Sequence, residues 1–215
     1  MNWNDLERHF SAARLGRYRI ARGGDAAKAL ADYAGNVLLS EAMLPMLNVL
    51  EIALRNGIHT RLSAHYGRAD WWEAWVGHSV FSWQNKEIAQ AKAKLVRRCE
   101  PQTPDKLLAE LTLGFWSSLF NKQFQPVLWK DLRLVFARCP KSQRQRHTIS
   151  TALNQIRDLR NRVFHHEPLL WLTPTLLEQH RVGVEVIHWI DPQLEQWLGQ
   201  YDRLPAIWAE WQAAA

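Results

Sequence analysis

The strongest constraint on this chain is a spacing. Leu47, Leu50, Leu54, Ile58 and Leu62 recur at intervals of three and four, which lines one face of an α-helix and cannot line one face of a strand. The same period returns along the chain, while no alternating strand pattern occurs and no Asn-Gly or Asp-Gly pair joins two such runs as a hairpin. The expected class is all-α. Over 215 residues there is neither a linker-like stretch nor a tandem repeat, so one domain is expected across residues 1–215.

Start and stop residues divide the pattern. A helix is expected over residues 4–14, followed by an arginine-rich stretch ending at Gly23 and Gly24. Asp25 then caps a helix to about residue 39, and Ser40 precedes a second one ending near Gly67. Residues 70–77 and 85–98 read as helical. Thr103 and Pro104 mark a restart, Gly114 an interruption, and Gln125 with Pro126 another start that runs to Cys139 and Pro140. A helix over residues 148–166 is expected to stop because Pro168 follows. Thr173-Pro174 and Asp191-Pro192 are read as two further helix openings.

Composition narrows the partners. An apolar share of 47% with 22% charged residues is that of a globular chain and argues against disorder. Trp71, Trp72, Trp75, Trp189, Trp208 and Trp211 fall on helix-spaced apolar faces and are assigned to packing rather than base stacking. The net charge of +6 suits a polyanionic partner. The excess gathers in four arginines between Arg14 and Arg22 and in Lys141, Arg144 and Arg146. Residues 1–8 lack the apolar core of a signal peptide, no run approaches 18 apolar residues, and Cys99 and Cys139 stand alone without metal spacing. A cytoplasmic protein without membrane contact is expected.

The segment carrying chemistry runs from Leu159 to Pro168. An arginine followed four to six residues later by histidine arises roughly twice by chance in a chain of this composition. Context distinguishes Arg160 and His165: Asn161 follows the arginine, His166 doubles the histidine, and the helix ends at once. Asn154, Asp158, Asn161 and His165 make one polar stripe; Ile149, Leu153, Ile156 and Val163 make the apolar one, and Arg160 falls within it. A core-facing arginine must meet a carboxylate or line a cleft. Arg160 and His165 are about 140° apart on an ideal helix. Their cooperation therefore requires the distorted helix end or a second copy of the chain.

Such residues suit RNA cleavage by attack of the ribose 2′-hydroxyl on the adjacent phosphate. Histidine, whose ordinary pKa is near 6.5, transfers protons at neutral pH, and arginine offers a charged planar fork to phosphate oxygens. No metal or other cofactor is required by that chemistry. Two plainer readings stay open from local chemistry: His165, His166 and Glu167 as a helix cap, and Arg160 as a structural ion-pair member. A metal site on the same three residues is disfavoured, since adjacent histidines point apart.

The segment Leu159-Arg160-Asn161-Arg162-Val163-Phe164-His165-His166 resembles the Abi-like proteins, of the AbiD and AbiF type, in the HEPN superfamily. Residues 50–56, Leu-Glu-Ile-Ala-Leu-Arg-Asn, and 111–120, Leu-Thr-Leu-Gly-Phe-Trp-Ser-Ser-Leu-Phe, add to the resemblance in the expected order. It implies a four-helix HEPN-like bundle with extra N- and C-terminal helices. It also implies metal-independent endoribonuclease activity in phage defence, a homodimer with a composite cleft, and an antitoxin, protein or RNA, that restrains it. Arg160 and His165 would take the catalytic positions, Asn161 the supporting one and His166 an accessory one, with Arg157 and Arg162 beside them. Arg162 and Phe164 stand where small or apolar residues are common, and Arg162 is a candidate for phosphate.

Lys141, Arg144 and Arg146 are expected to support substrate binding from beside the motif helix. Glu51, Arg55 and His59, spaced by four, form a charged stripe that reads either as a surface ion pair or as a second wall of the site. In the second case Glu51 would pair Arg160 or orient a histidine. The alternative to a ribonuclease is a non-catalytic helical module that binds RNA or protein and regulates a partner.

Overall fold

The computed structural model describes residues 2–214, and among these every regular element is helical. Helices α1 (Trp3–Phe10) and α2 (Ala12–Ala21) lead into α3 (Ala26–Tyr66), which is 41 residues long. Asp25 caps α3 by accepting from the N–H groups of Ala27 and Lys28, and Gly67 closes it at a φ of 68°. The break expected at Ser40 does not occur. The Ser40 hydroxyl donates back to the Asn36 carbonyl at 2.8 Å, so it bonds within the helix rather than capping a new one. Pro45 is accommodated inside the same helix.

Trp71–Trp75 form a 3-10 turn, followed by α4 (Ser82–Arg97), α5 (Pro104–Glu110), α6 (Leu113–Ser118) and α7 (Gln125–Leu132). Gly114 does not interrupt; it lies within α6, where a Cβ would meet the Arg157 Cδ at 3.9 Å. After α8 (Arg146–Phe164) come α9 (Leu176–Ile190), α10 (Pro192–Leu198) and α11 (Leu204–Ala214). The start of α9 is set by Thr175 rather than Thr173. Thr175 and Glu178 form a reciprocal capping box, satisfying two amide donors at once.

α3 is the central element, packed by α2, α6, α7, α8, α9 and α11. By length and composition it is long and apolar enough to cross a membrane, although Asn36, Ser40 and Glu41 interrupt its apolar run. Within the fold it supplies core instead: Leu39, Met43, Met46, Leu50, Leu54, Ile58 and Leu62 are buried. It lies close against α9, where a Cβ on Gly183 would lie 2.3 Å from the Met46 sulfur. Trp71, Trp72, Trp75, Trp189 and Trp208 are buried, and the Trp71 and Trp75 indoles donate to His59 Nδ1 and the Tyr66 hydroxyl, each at 3.0 Å.

Candidate functional site

The motif lies at the C-terminal end of α8. Ile149, Leu153, Ile156, Leu159 and Val163 bury one face of this helix, which fixes the azimuth of every polar residue between them. The helix stops at Phe164, two residues before the expected end, and the stop is a Schellman arrangement rather than an effect of Pro168. His166 takes a left-handed φ of 56°, its N–H donates to the Val163 carbonyl, and the Glu167 N–H reaches back to the Arg162 carbonyl at 2.9 Å. The cap is thus made by the backbone of His165, His166 and Glu167. Both imidazoles remain exposed.

Two residues far away in sequence hold this turn. Asn36, buried on α3, donates to the Glu167 carbonyl at 3.3 Å and accepts from the Leu169 N–H at 2.6 Å. Arg14 on α2 donates to the His166 carbonyl at 2.9 Å. Sequence reasoning missed Asn36; the available signal was a polar pair, Asp32 and Asn36, one turn apart on an apolar helix. The Arg14–Arg22 cluster was visible, but its place beside the motif was not. Within it, Arg22 forms a two-pronged ion pair with buried Asp32, at 2.6 and 2.7 Å.

Two clefts meet at the turn. One, of about 390 Å3, is lined by Arg14, Arg17, His165, His166 and Glu167 together with Ser11, Ala13 and Pro168. The other, of about 610 Å3, is mostly apolar and runs between Phe10, Tyr33, Val37, Leu44, Val163 and Phe164, with Arg14 and His166 on the shared rim. The smaller cleft sets two imidazoles beside two guanidinium groups.

Arg160 is half-buried and lines neither cleft. Among the described residues it meets no carboxylate; its guanidinium lies over the Phe164 ring, 4.2 Å from the centroid, and its Nε is buried without a hydrogen-bond partner. That removes the ion-pair reading for Arg160. Asn161 is exposed. Arg162 pairs with Glu167 at 3.0 Å in the open. Arg157 is held sideways by the Asn154 amide oxygen at 2.9 Å and by Asp158 at 2.8 Å.

Other expected participants lie elsewhere. Glu51 and Arg55 are half-buried on α3 and line neither cleft, and among the described residues Arg160 packs on Phe164 and no Glu51–Arg160 pair forms. His59 belongs to the core edge, bonded to Trp71 and within 3.4 Å of the Ser63 hydroxyl; burial lowers its pKa, opposed in part by Asp105. Lys141, Arg144 and Arg146 lie at or before the opposite end of α8, whose first residue, Arg146, is about 28 Å from His165 at 1.5 Å per residue. Arg144 and Arg146 donate there to the carbonyls of Ala137 and Phe120. Among the described residues, no group of three His, Cys, Asp or Glu side chains is arranged to hold a metal ion.

No protein-family model, no curated protein and no solved structure matches this chain.

Proposed function

We propose that this protein is a metal-independent endoribonuclease of the HEPN type, with a HEPN-like core around α3, α8 and α9, acting as a cytoplasmic abortive-infection toxin. The observation that carries this reading is the exposed His165 at a distorted helix end, sharing a cleft with Arg14, Arg17 and His166. Phosphate in such a cleft meets positive charge, and imidazole there removes the proton from the 2′-hydroxyl or delivers one to the departing 5′-oxygen. The products are a 2′,3′-cyclic phosphate and a free 5′-hydroxyl, so charge and protons balance without another reactant.

Arg160 enters through a second copy of the chain. It sits off the cleft on its own chain, and Phe10, Val37, Leu44 and Phe164 are exposed around the adjoining apolar cleft, which suits a homodimer seam. An antitoxin, protein or RNA, would restrain the enzyme by covering this region.

The test is cleavage of RNA in EDTA. Wild type is expected to cut, and His165→Ala to lose about 10²- to 10⁴-fold in rate with an unchanged melting temperature. Equal cleavage by His165→Ala sinks the proposal. The backbone-made cap at His165–Glu167 favours a second reading, a non-catalytic RNA- or protein-binding module, which binds salt-sensitively and never cleaves.

A further inference from the structure

At the opposite end of α8 from the motif lies a concave groove of about 480 Å3, lined by Lys122, Gln125, Pro126, Trp129, Lys130 and Arg133. We propose that it is a second RNA-binding surface, an exosite that grips substrate away from the point of cleavage. The proposal rests on RNA being the ligand of the His165 cleft.

Three cations converge on the groove and no carboxylate lines it. The acid carried by α7, Asp131, is engaged by His65 Nδ1 at 2.9 Å. Lys122 and Lys130 are exposed, and Arg133 uses only its Nε, on the Lys130 carbonyl at 3.2 Å. Their charge is therefore uncompensated locally and favours a polyanion.

Two further features select a nucleic-acid strand. Trp129 is partly buried against the core and also lines the groove, which puts an aromatic side chain among the cations, the pairing that single-strand binding uses. The surface is a shallow, open groove, which leaves room for a strand to run along it. Arg146 extends the charge: its Nε donates to the Gln125 amide oxygen at 3.0 Å, which sets this member of the Lys141–Arg146 cluster at the rim. This gives Arg146 a role it does not have at the cleavage cleft.

The experiment uses the full chain and a fluorescein-labelled 25-nucleotide 2′-O-methyl RNA, which has no free 2′-hydroxyl and cannot be cut by this chemistry. Anisotropy titrations run from 50 to 300 mM KCl. The combined variant Lys122→Gln, Lys130→Gln, Arg133→Gln is expected to bind about tenfold more weakly at 100 mM salt, with a log–log salt slope shallower by about 2. Trp129→Leu is expected to weaken binding without changing the slope. Should the triple variant fail to fold, Lys122→Gln with Lys130→Gln gives an intermediate slope.

Unchanged affinity and slope overturn the exosite, as does binding to phosphatidylserine vesicles through these residues with none to RNA. Groove-dependent binding by a wild-type protein that cuts no RNA supports the exosite and sinks the ribonuclease. Cleavage of unmodified RNA with groove-independent binding does the reverse.

Discussion

The guanidinium of Arg160 lies over the ring of Phe164, one helical turn further along α8, 4.2 Å from its centroid. The stack gives a core-facing arginine a partner that neutralises none of its charge. It leaves the outer nitrogens for a ligand while Nε sits buried and unsatisfied. Phe164→Leu keeps the bulk and removes the π-face. Because Phe164 is 50% exposed, stability should fall by no more than about 1 kcal/mol, while RNA cleavage drops roughly two- to fivefold through loss of the cation–π contact. Urea titration and kcat/KM check the two effects. Unaltered cleavage would show that the stack does not position Arg160.

His166 and His165 should separate cleanly. His166 holds a left-handed φ of 56°, a conformation that costs a non-glycine residue about 1 kcal/mol. His166→Gly relieves it and preserves the Arg14 bond, which is made to the backbone carbonyl. A rise of up to about 1 kcal/mol in unfolding free energy is expected, with cleavage largely retained if His165 transfers the proton. Loss of cleavage in a stabilised His166→Gly protein would move that role to His166.

Asn36 clamps the turn after α8 from inside α3. Asn36→Ala strands the Leu169 N–H and the Glu167 carbonyl, and should cost about 2–4 kcal/mol in chemical denaturation. Cleavage should fall in parallel as the end of α8 loosens. A cost under about 0.5 kcal/mol would mean that the turn holds itself.

The pH dependence of stability should carry the mark of His59. Burial holds its folded pKa below the ordinary value, so the unfolded chain binds the extra proton first. Its contribution is fully present above pH 6.5 and is lost as pH falls from there through the folded value. Melting temperatures from pH 7.5 to 5 should decline more steeply for wild type than for His59→Gln. Superimposable profiles would contradict this.

Gly183 lets α9 approach α3. An alanine methyl would sit 2.3 Å from the Met46 sulfur, in a position where Met46 is fully buried. Despite the better helix propensity of alanine, Gly183→Ala should destabilise by about 1–3 kcal/mol. Met46→Ala in the same chain should recover part of the lost contact distance, which a double-mutant cycle will register.

Much of the helical framework was legible because period and caps are local. The Leu47–Leu62 face, the Asp25, Thr103 and Asp191 caps and the buried stripe of α8 follow from residues within one or two turns. The errors arose where two local options compete. Ser40 can cap a helix or bond back within one, and the surroundings chose the second. Two threonines flank Pro174, and only Thr175 has Glu178 at the right offset.

By itself, the sequence determined an all-helical chain and put Arg160, Asn161, His165 and His166 near the end of one helix, because helical geometry relates neighbours to one another. Tertiary structure alone decided what surrounds them. It brought Arg14 and Asn36 to the turn across more than 130 residues and stacked Arg160 on Phe164 instead of Glu51. It also set Arg146 against Gln125, at the rim of a different groove. Packing of buried faces sets the azimuth and offset of each helix, and those two quantities decide which distant side chains share a cleft.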